Sequence, residues 1–67
     1  MRGTIKKLVA DRGFGFITGE DGADYFFHRD DLREGLDLTH LKAGDVVSFE
    51  AASRPKGPRA VEVRTAA

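Results

Sequence analysis

A chain of 67 residues without cysteine is expected to form one domain, 1–67, that neither a disulfide nor a thiolate metal site can stabilise. Its N-terminal segment has no apolar signal region, and no run approaches membrane-spanning length, so we expect a cytoplasmic protein with no membrane partner. The formal net charge is zero, but the two signs of charge are segregated along the chain. Acidic residues are concentrated at 20–37 and basic residues towards the two ends.

The first part of the chain predicts three short strands. Apolar and β-branched residues favour strands at residues 4–10, 14–18 and 23–28. The sequence GEDG at residues 19–22 is typical of a tight hairpin turn, which would pair the second strand with the third.

The second part predicts two further strands. Residues 30–43 favour a helical turn at most, followed by a loop, because Gly35 interrupts the pattern. Alternating apolar residues predict a fourth strand at 46–52, two prolines and a glycine predict a loop at 53–59, and residues 60–64 form the last strand. Five short strands indicate an all-β fold, a five-stranded antiparallel barrel, because closure removes the open edges of a sheet.

Five of the six aromatic rings lie within residues 12–28, RGFGFITGEDGADYFFH. In an extended strand Phe14 and Phe16 point to one face, and Phe26 and His28 share a face of the next strand. These four side chains are expected to point outward. The side chains expected to fill the barrel are Ile5, Ile17, Tyr25, Phe27, Val47, Phe49, Val61 and Val63.

Outward rings beside a basic first strand indicate binding of single-stranded nucleic acid. Unpaired bases can stack on the rings while cations hold the phosphates, and each stacked base contributes about 1–3 kcal/mol. Gly13 and Gly15 are expected to let a nucleic-acid strand approach the backbone closely.

Two motifs resemble those of the cold-shock domain family. RGFGFI at residues 12–17 is similar to the family's first ribonucleoprotein motif, YFFH at 25–28 to its second, and the flanking segments follow its five-strand plan. The resemblance implies an OB-type barrel that binds single-stranded RNA and DNA. It further implies a monomeric RNA chaperone or modulator of transcription or translation, with no cofactor and no small-molecule substrate.

By matching positions, the resemblance assigns the binding surface to Lys6, Phe14, Phe16, Phe26 and His28, and a flanking clamp to Arg54, Lys56 and Arg59. The chain also departs from the family. Lys7 stands where the family typically has tryptophan, Arg29 where a phenylalanine usually follows the histidine, and Leu36 or Leu38 where another ring is common. Lys7 and Arg29 would compensate for missing rings through phosphate contacts, and an arginine plane can itself stack on a base. Arg12 is expected to be a further phosphate contact.

Two other functions compete with this one. The chain could be a protein-interaction barrel that has lost much of its stacking surface, or a binder of structured RNA that uses shape and charge. An enzyme is not expected, because no nucleophile or paired carboxylate accompanies His28. A calcium loop is not expected either, because DDLREGLDLTH lacks alternating oxygen ligands.

Overall fold

The computed structural model describes residues 1–33, 35–55 and 57–66. These residues form a closed barrel with the strand order β1-β2-β3-β5-β4 around its circumference, which confirms the predicted five-stranded all-β fold. The strands are β1 (Arg2–Val9), β2 (Phe14–Gly19), β3 (Asp24–His28), β4 (Val46–Arg54) and β5 (Gly57–Thr65). Where we expected at most one helical turn, two short 3-10 turns, Arg29–Asp31 and Leu38–His40, lie between β3 and β4.

The strands are antiparallel at four of the five contacts around the barrel. The fifth contact, between β3 and β5, is parallel and pairs Phe26 with Arg59. An odd number of strands cannot alternate in direction all the way round a closed ring, so one contact must be parallel. The expectation of an antiparallel barrel therefore holds everywhere except at the contact that closes it.

The interior contains seven of the eight side chains predicted for it, but not Val61. Ala60 and Val63 are fully buried, whereas Val61 is half-buried. The alternation fails because β5 has one residue more than β4 between two successive pairs, Ser48–Arg64 and Glu50–Val61. Within this bulge Glu62 has a positive φ of 54°. The complete buried core is Ile5, Ile17, Tyr25, Phe27, Leu38, Leu41, Val47, Phe49, Ala60 and Val63.

The predicted loop at 53–59 is mostly strand. Arg54 pairs with Gly57 and Ser53 pairs with Pro58, so β4 and β5 continue almost to the tip of their hairpin. A proline is tolerated there because it lies near the first residue of its strand. Arg59, predicted to lie in a loop, is therefore part of the barrel wall, where it pairs with Phe26 and Ala52.

Gly15 faces the barrel interior. A methyl group on its Cα would lie 2.7 Å from the Lys7 carbonyl oxygen and 2.8 Å from the Phe27 ring, closer than real contacts allow. Gly13 is also buried, beneath the Arg29 side chain, and its φ of 76° favours glycine. The expectation that these glycines let nucleic acid approach the backbone is therefore wrong: they allow the strand to pack inward while its rings point outward.

The turn between β2 and β3 is held by Asp21. Its carboxylate accepts hydrogen bonds from the Tyr25 hydroxyl (2.6 Å) and the Ala23 backbone N–H (3.1 Å). The Tyr25 hydrogen bond, more than that of Ala23, lowers the pKa of Asp21, and the same bond raises the pKa of Tyr25. The turn thus ties the surface hairpin to a ring of the core.

We expect acid to destabilise the barrel through this hairpin. The pKa of Asp21 is lowered as above, and that of Asp24 is lowered chiefly by its hydrogen bond from Lys6. A carboxylate with a lowered folded-state pKa stabilises the fold above its unfolded pKa of about 3.9, and the effect is lost as the pH falls through the folded value. The melting temperature should therefore drop as the pH falls below about 4.

In the Asp21→Asn variant the fall in melting temperature at acid pH should be smaller than in the parent chain. The control variant Glu50→Gln, which removes an acid outside the hairpin, should show the full fall. Melting followed by circular dichroism from neutral pH downward measures the effect. An acid sensitivity of Asp21→Asn equal to that of the parent chain would contradict the assignment.

Candidate nucleic-acid interface

Three phenylalanine rings lie together on the outer face of β2 and β3, and we call Phe14, Phe16 and Phe26 the aromatic cluster. All three are half-buried, while the alternate residues of both strands point into the core. The ring centroids are 5.7 Å apart for Phe14–Phe26 and Phe16–Phe26 and 6.2 Å apart for Phe14–Phe16. These separations are those of interacting aromatic pairs, so the rings support one another while part of each remains accessible.

The strand register places basic side chains at both ends of this cluster. In the register of neighbouring strands, Lys7 on β1 pairs with Phe16 on β2, and Phe16 pairs with Phe26 on β3. Phe26 in turn pairs with Arg59 on β5. Directly opposed residues share a face of the sheet, so this row presents a cation, two rings and a second cation. His28, which is half-buried, lies opposite Phe14 in the next row.

Lys6 lies at the edge of the surface and forms an ion pair. The register of β1 shifts between Ile5 and Lys7, and this bulge leaves both Lys6 and Lys7 exposed. The Lys6 ammonium donates to Asp24 Oδ2 over 2.8 Å, and Thr18 donates to the other carboxylate oxygen over 3.0 Å. Asp24 was not among the residues predicted for this surface, although the alternation of side chains along a strand places it on the same face as Phe26.

Arg59 is held against the aromatic cluster by Asp31. Its Nε donates to Asp31 Oδ2 over 2.9 Å, and the same oxygen accepts the backbone N–H of His28 over 2.9 Å. The guanidinium carbon lies 5.7 Å from the centroid of the Phe26 ring, within the range of a cation–π contact. No local sequence signal could have identified Asp31, because it meets Arg59 only where β3 and β5 close the barrel.

The remaining predicted cations surround the cluster more loosely. Arg12 is exposed in the 3-10 turn Ala10–Arg12, next to the first ring along the chain. Arg29 packs over Gly13, and Arg54 is exposed at the end of β4. Lys56, predicted as part of the clamp, lies outside the described residues.

An open groove of about 690 Å³ runs between the aromatic cluster and the β4–β5 hairpin. Rings and prolines form its apolar walls, and two guanidinium groups supply its charge. Such a groove suits a planar, polar-edged group better than a compact ion. The lining residues are Phe16, Phe26, Arg54, Pro55, Gly57, Pro58 and Arg59.

Neither a metal-ligand cluster nor a membrane-spanning helix is present in the part of the chain that the structure describes. No group of three or more His, Asp or Glu side chains there could hold a metal ion. No helix there is long and apolar enough to cross a membrane.

A closed five-stranded barrel that carries an outward aromatic cluster between cations defines a nucleic-acid-binding barrel of the OB type. Residues 1–66 match the family model described as the 'Cold-shock' DNA-binding domain, and the chain belongs to this family. Nucleic-acid binding of the cold-shock type follows from that membership.

Relatives from several bacteria match over most of the chain. It is 45% identical over 65 residues to the "Probable cold shock protein A" of Mycolicibacterium smegmatis, covering 96% of each chain. It is 46% identical to the "Cold shock-like protein" of Aquifex aeolicus, covering 94% of this chain and 90% of the relative. A third relative, "Cold shock protein 1" of Lactiplantibacillus plantarum, is 44% identical and covers 91% of each chain.

Proposed function

We propose that this protein binds single-stranded RNA and DNA, with bases stacked on the aromatic cluster and phosphates held by the surrounding cations. The observation that carries the proposal is the clustering of Phe14, Phe16 and Phe26, half-exposed on one face of a very small barrel. A chain of this size has little core stability to spare, and leaving three rings partly in water is a loss unless they bind something.

Single strands fit this surface better than duplexes. The rings offer faces on which unpaired bases can stack, and a duplex hides those faces in its own base stack. The groove beside the cluster is open and lined by rings and arginines, so a flexible strand can enter it. Binding without strong sequence preference suits a cytoplasmic, monomeric RNA chaperone or a modulator of transcription or translation, which needs neither a cofactor nor a catalytic step.

The experiment is a titration of fluorescently labelled single strands and of a duplex of the same length, at low and at moderate salt. We expect the single strands to bind more tightly than the duplex, with an affinity that falls as salt rises. Equal or tighter binding of the duplex would instead favour recognition of structured RNA by shape and charge. Binding of neither at low salt would favour a protein-interaction barrel.

A further inference from the structure

We propose that Arg59 and Asp31 make one position of the interface selective for guanine. The inference rests on the proposed function and adds to it a base preference at one position in the groove. Arg59 would be the specificity-determining residue, and Asp31 the residue that positions it.

Arg59 is a fixed group. Its side chain is 35% exposed and that of Asp31 only 11% exposed, and the 2.9 Å bond between them is anchored further by the His28 backbone N–H. The Phe26 ring lies against the guanidinium, and the Arg59 backbone is part of the barrel wall. An arginine held at its Nε, its flank and its backbone loses little freedom when it binds a ligand.

This arrangement suits a base edge better than a phosphate. The charge of Arg59 is largely compensated by Asp31, which weakens its pull on an anion. Among the described residues only the Asp31 carboxylate binds the Arg59 guanidinium. It occupies Nε and leaves the Nη groups, a planar pair of donors, for a ligand. Because these donors lie beside the Phe26 ring, a base stacked on that ring would present its edge to them.

Guanine matches these donors best. Its O6 and N7 are adjacent acceptors, and a bidentate bond from arginine to this pair is the commonest specific contact between protein and base. Adenine places an amino donor beside N7, and thymine lacks two adjacent acceptors. Cytosine has two, O2 and N3, but its single ring covers less of Phe26 than a purine does. The groove, about 690 Å³ in volume, has room for the larger base.

The test uses short oligothymidines in which a single guanine replaces one thymine at each position in turn. We expect at least one of these strands to bind the parent chain about tenfold more tightly than oligothymidine itself. Replacing that guanine with 7-deazaguanine, which keeps the ring but lacks the N7 acceptor, should remove most of the gain. A single cytosine or adenine at the same position should give little gain.

Variants then test the assigned residues. Arg59→Gln should abolish the guanine preference, as should Arg59→Lys, which keeps the charge but lacks the paired donors. Arg64→Gln makes the same charge change on β5 outside the groove and should retain the preference. Asp31→Asn should reduce the preference for guanine over thymine while oligothymidine itself binds more tightly, because a negative charge beside the interface is removed.

Several results would overturn the inference. A parent chain that binds oligothymidine but gains nothing from guanine, or prefers cytosine, would refute it and leave the proposed function intact. An Arg59→Gln variant that weakens every strand equally and lowers the salt dependence by about 0.7 in log–log slope would show a phosphate contact instead. Failure of all single strands to bind would refute both proposals. The fold of each variant is checked by circular dichroism, and Arg59→Lys keeps the test decisive if Arg59→Gln does not fold.

Discussion

Replacing Phe26 by alanine should weaken binding of single strands by about fivefold to a hundredfold, the range that corresponds to one lost stack. Phe26 is the central member of the aromatic cluster, since its ring lies 5.7 Å from both Phe14 and Phe16 and also supports Arg59. The salt dependence should stay nearly unchanged, because a ring neutralises no phosphate. Fluorescence titrations at several salt concentrations measure both quantities.

Val46→Ala is the matched control for this variant. Val46 is an apolar residue on β4 that is 54% exposed and lies away from the cluster, so its truncation should leave binding unchanged. Circular dichroism shows whether each variant is folded at the temperature of the titration. Full affinity in a folded Phe26→Ala protein would refute stacking on this ring.

The strands and the outward rings could be predicted because they depend on local patterns. Period-two alternation separates Phe14, Phe16 and Phe26 from their buried neighbours, and the glycine-rich turn fixes the hairpin that brings β2 and β3 together. The same rule failed in β5, where Glu62 adopts a positive φ and the strand carries an extra residue. Nothing in the type of that residue indicates a bulge, since glutamate rarely adopts such a conformation.

The acidic residues of the chain show a second limit of local patterns. Their concentration at 20–37 indicates a segregated charge pattern but not which cations these acids meet. In the structure Asp24 binds Lys6 and Asp31 binds Arg59, so both acids hold cations of the candidate interface. The partners are 18 and 28 residues apart in the sequence, and strand pairing and barrel closure bring them together. The alternation of side chains within one β-strand cannot predict such contacts.

Lys7 stands where the resemblance to the cold-shock domain family predicts a tryptophan, and Lys7→Trp is expected to tighten binding. In the structure Lys7 is exposed and lies opposite Phe16, on the same face as the aromatic cluster. A tryptophan there would extend the cluster by one ring, and one added stack corresponds to a gain of about fivefold to a hundredfold. Among the described residues no carboxylate forms an ion pair with Lys7, so the parent lysine is available to hold a phosphate.

The salt dependence separates these two contributions. Each phosphate contact on a single strand contributes about −0.7 to the slope of log K against log salt, so Lys7→Trp should flatten the slope by about that amount while raising the affinity. Lys42→Trp, an exposed lysine after the 3-10 turn Leu38–His40 and outside the cluster, controls for a general gain from an added ring. An unchanged affinity and slope in a folded Lys7→Trp protein would show that this position does not face the nucleic acid, whereas weaker binding would show that the tryptophan does not stack and only the phosphate contact is lost. An equal gain in Lys42→Trp would show that the added ring acts nonspecifically, because only a ring beside Phe16 can share a stacked strand with the cluster.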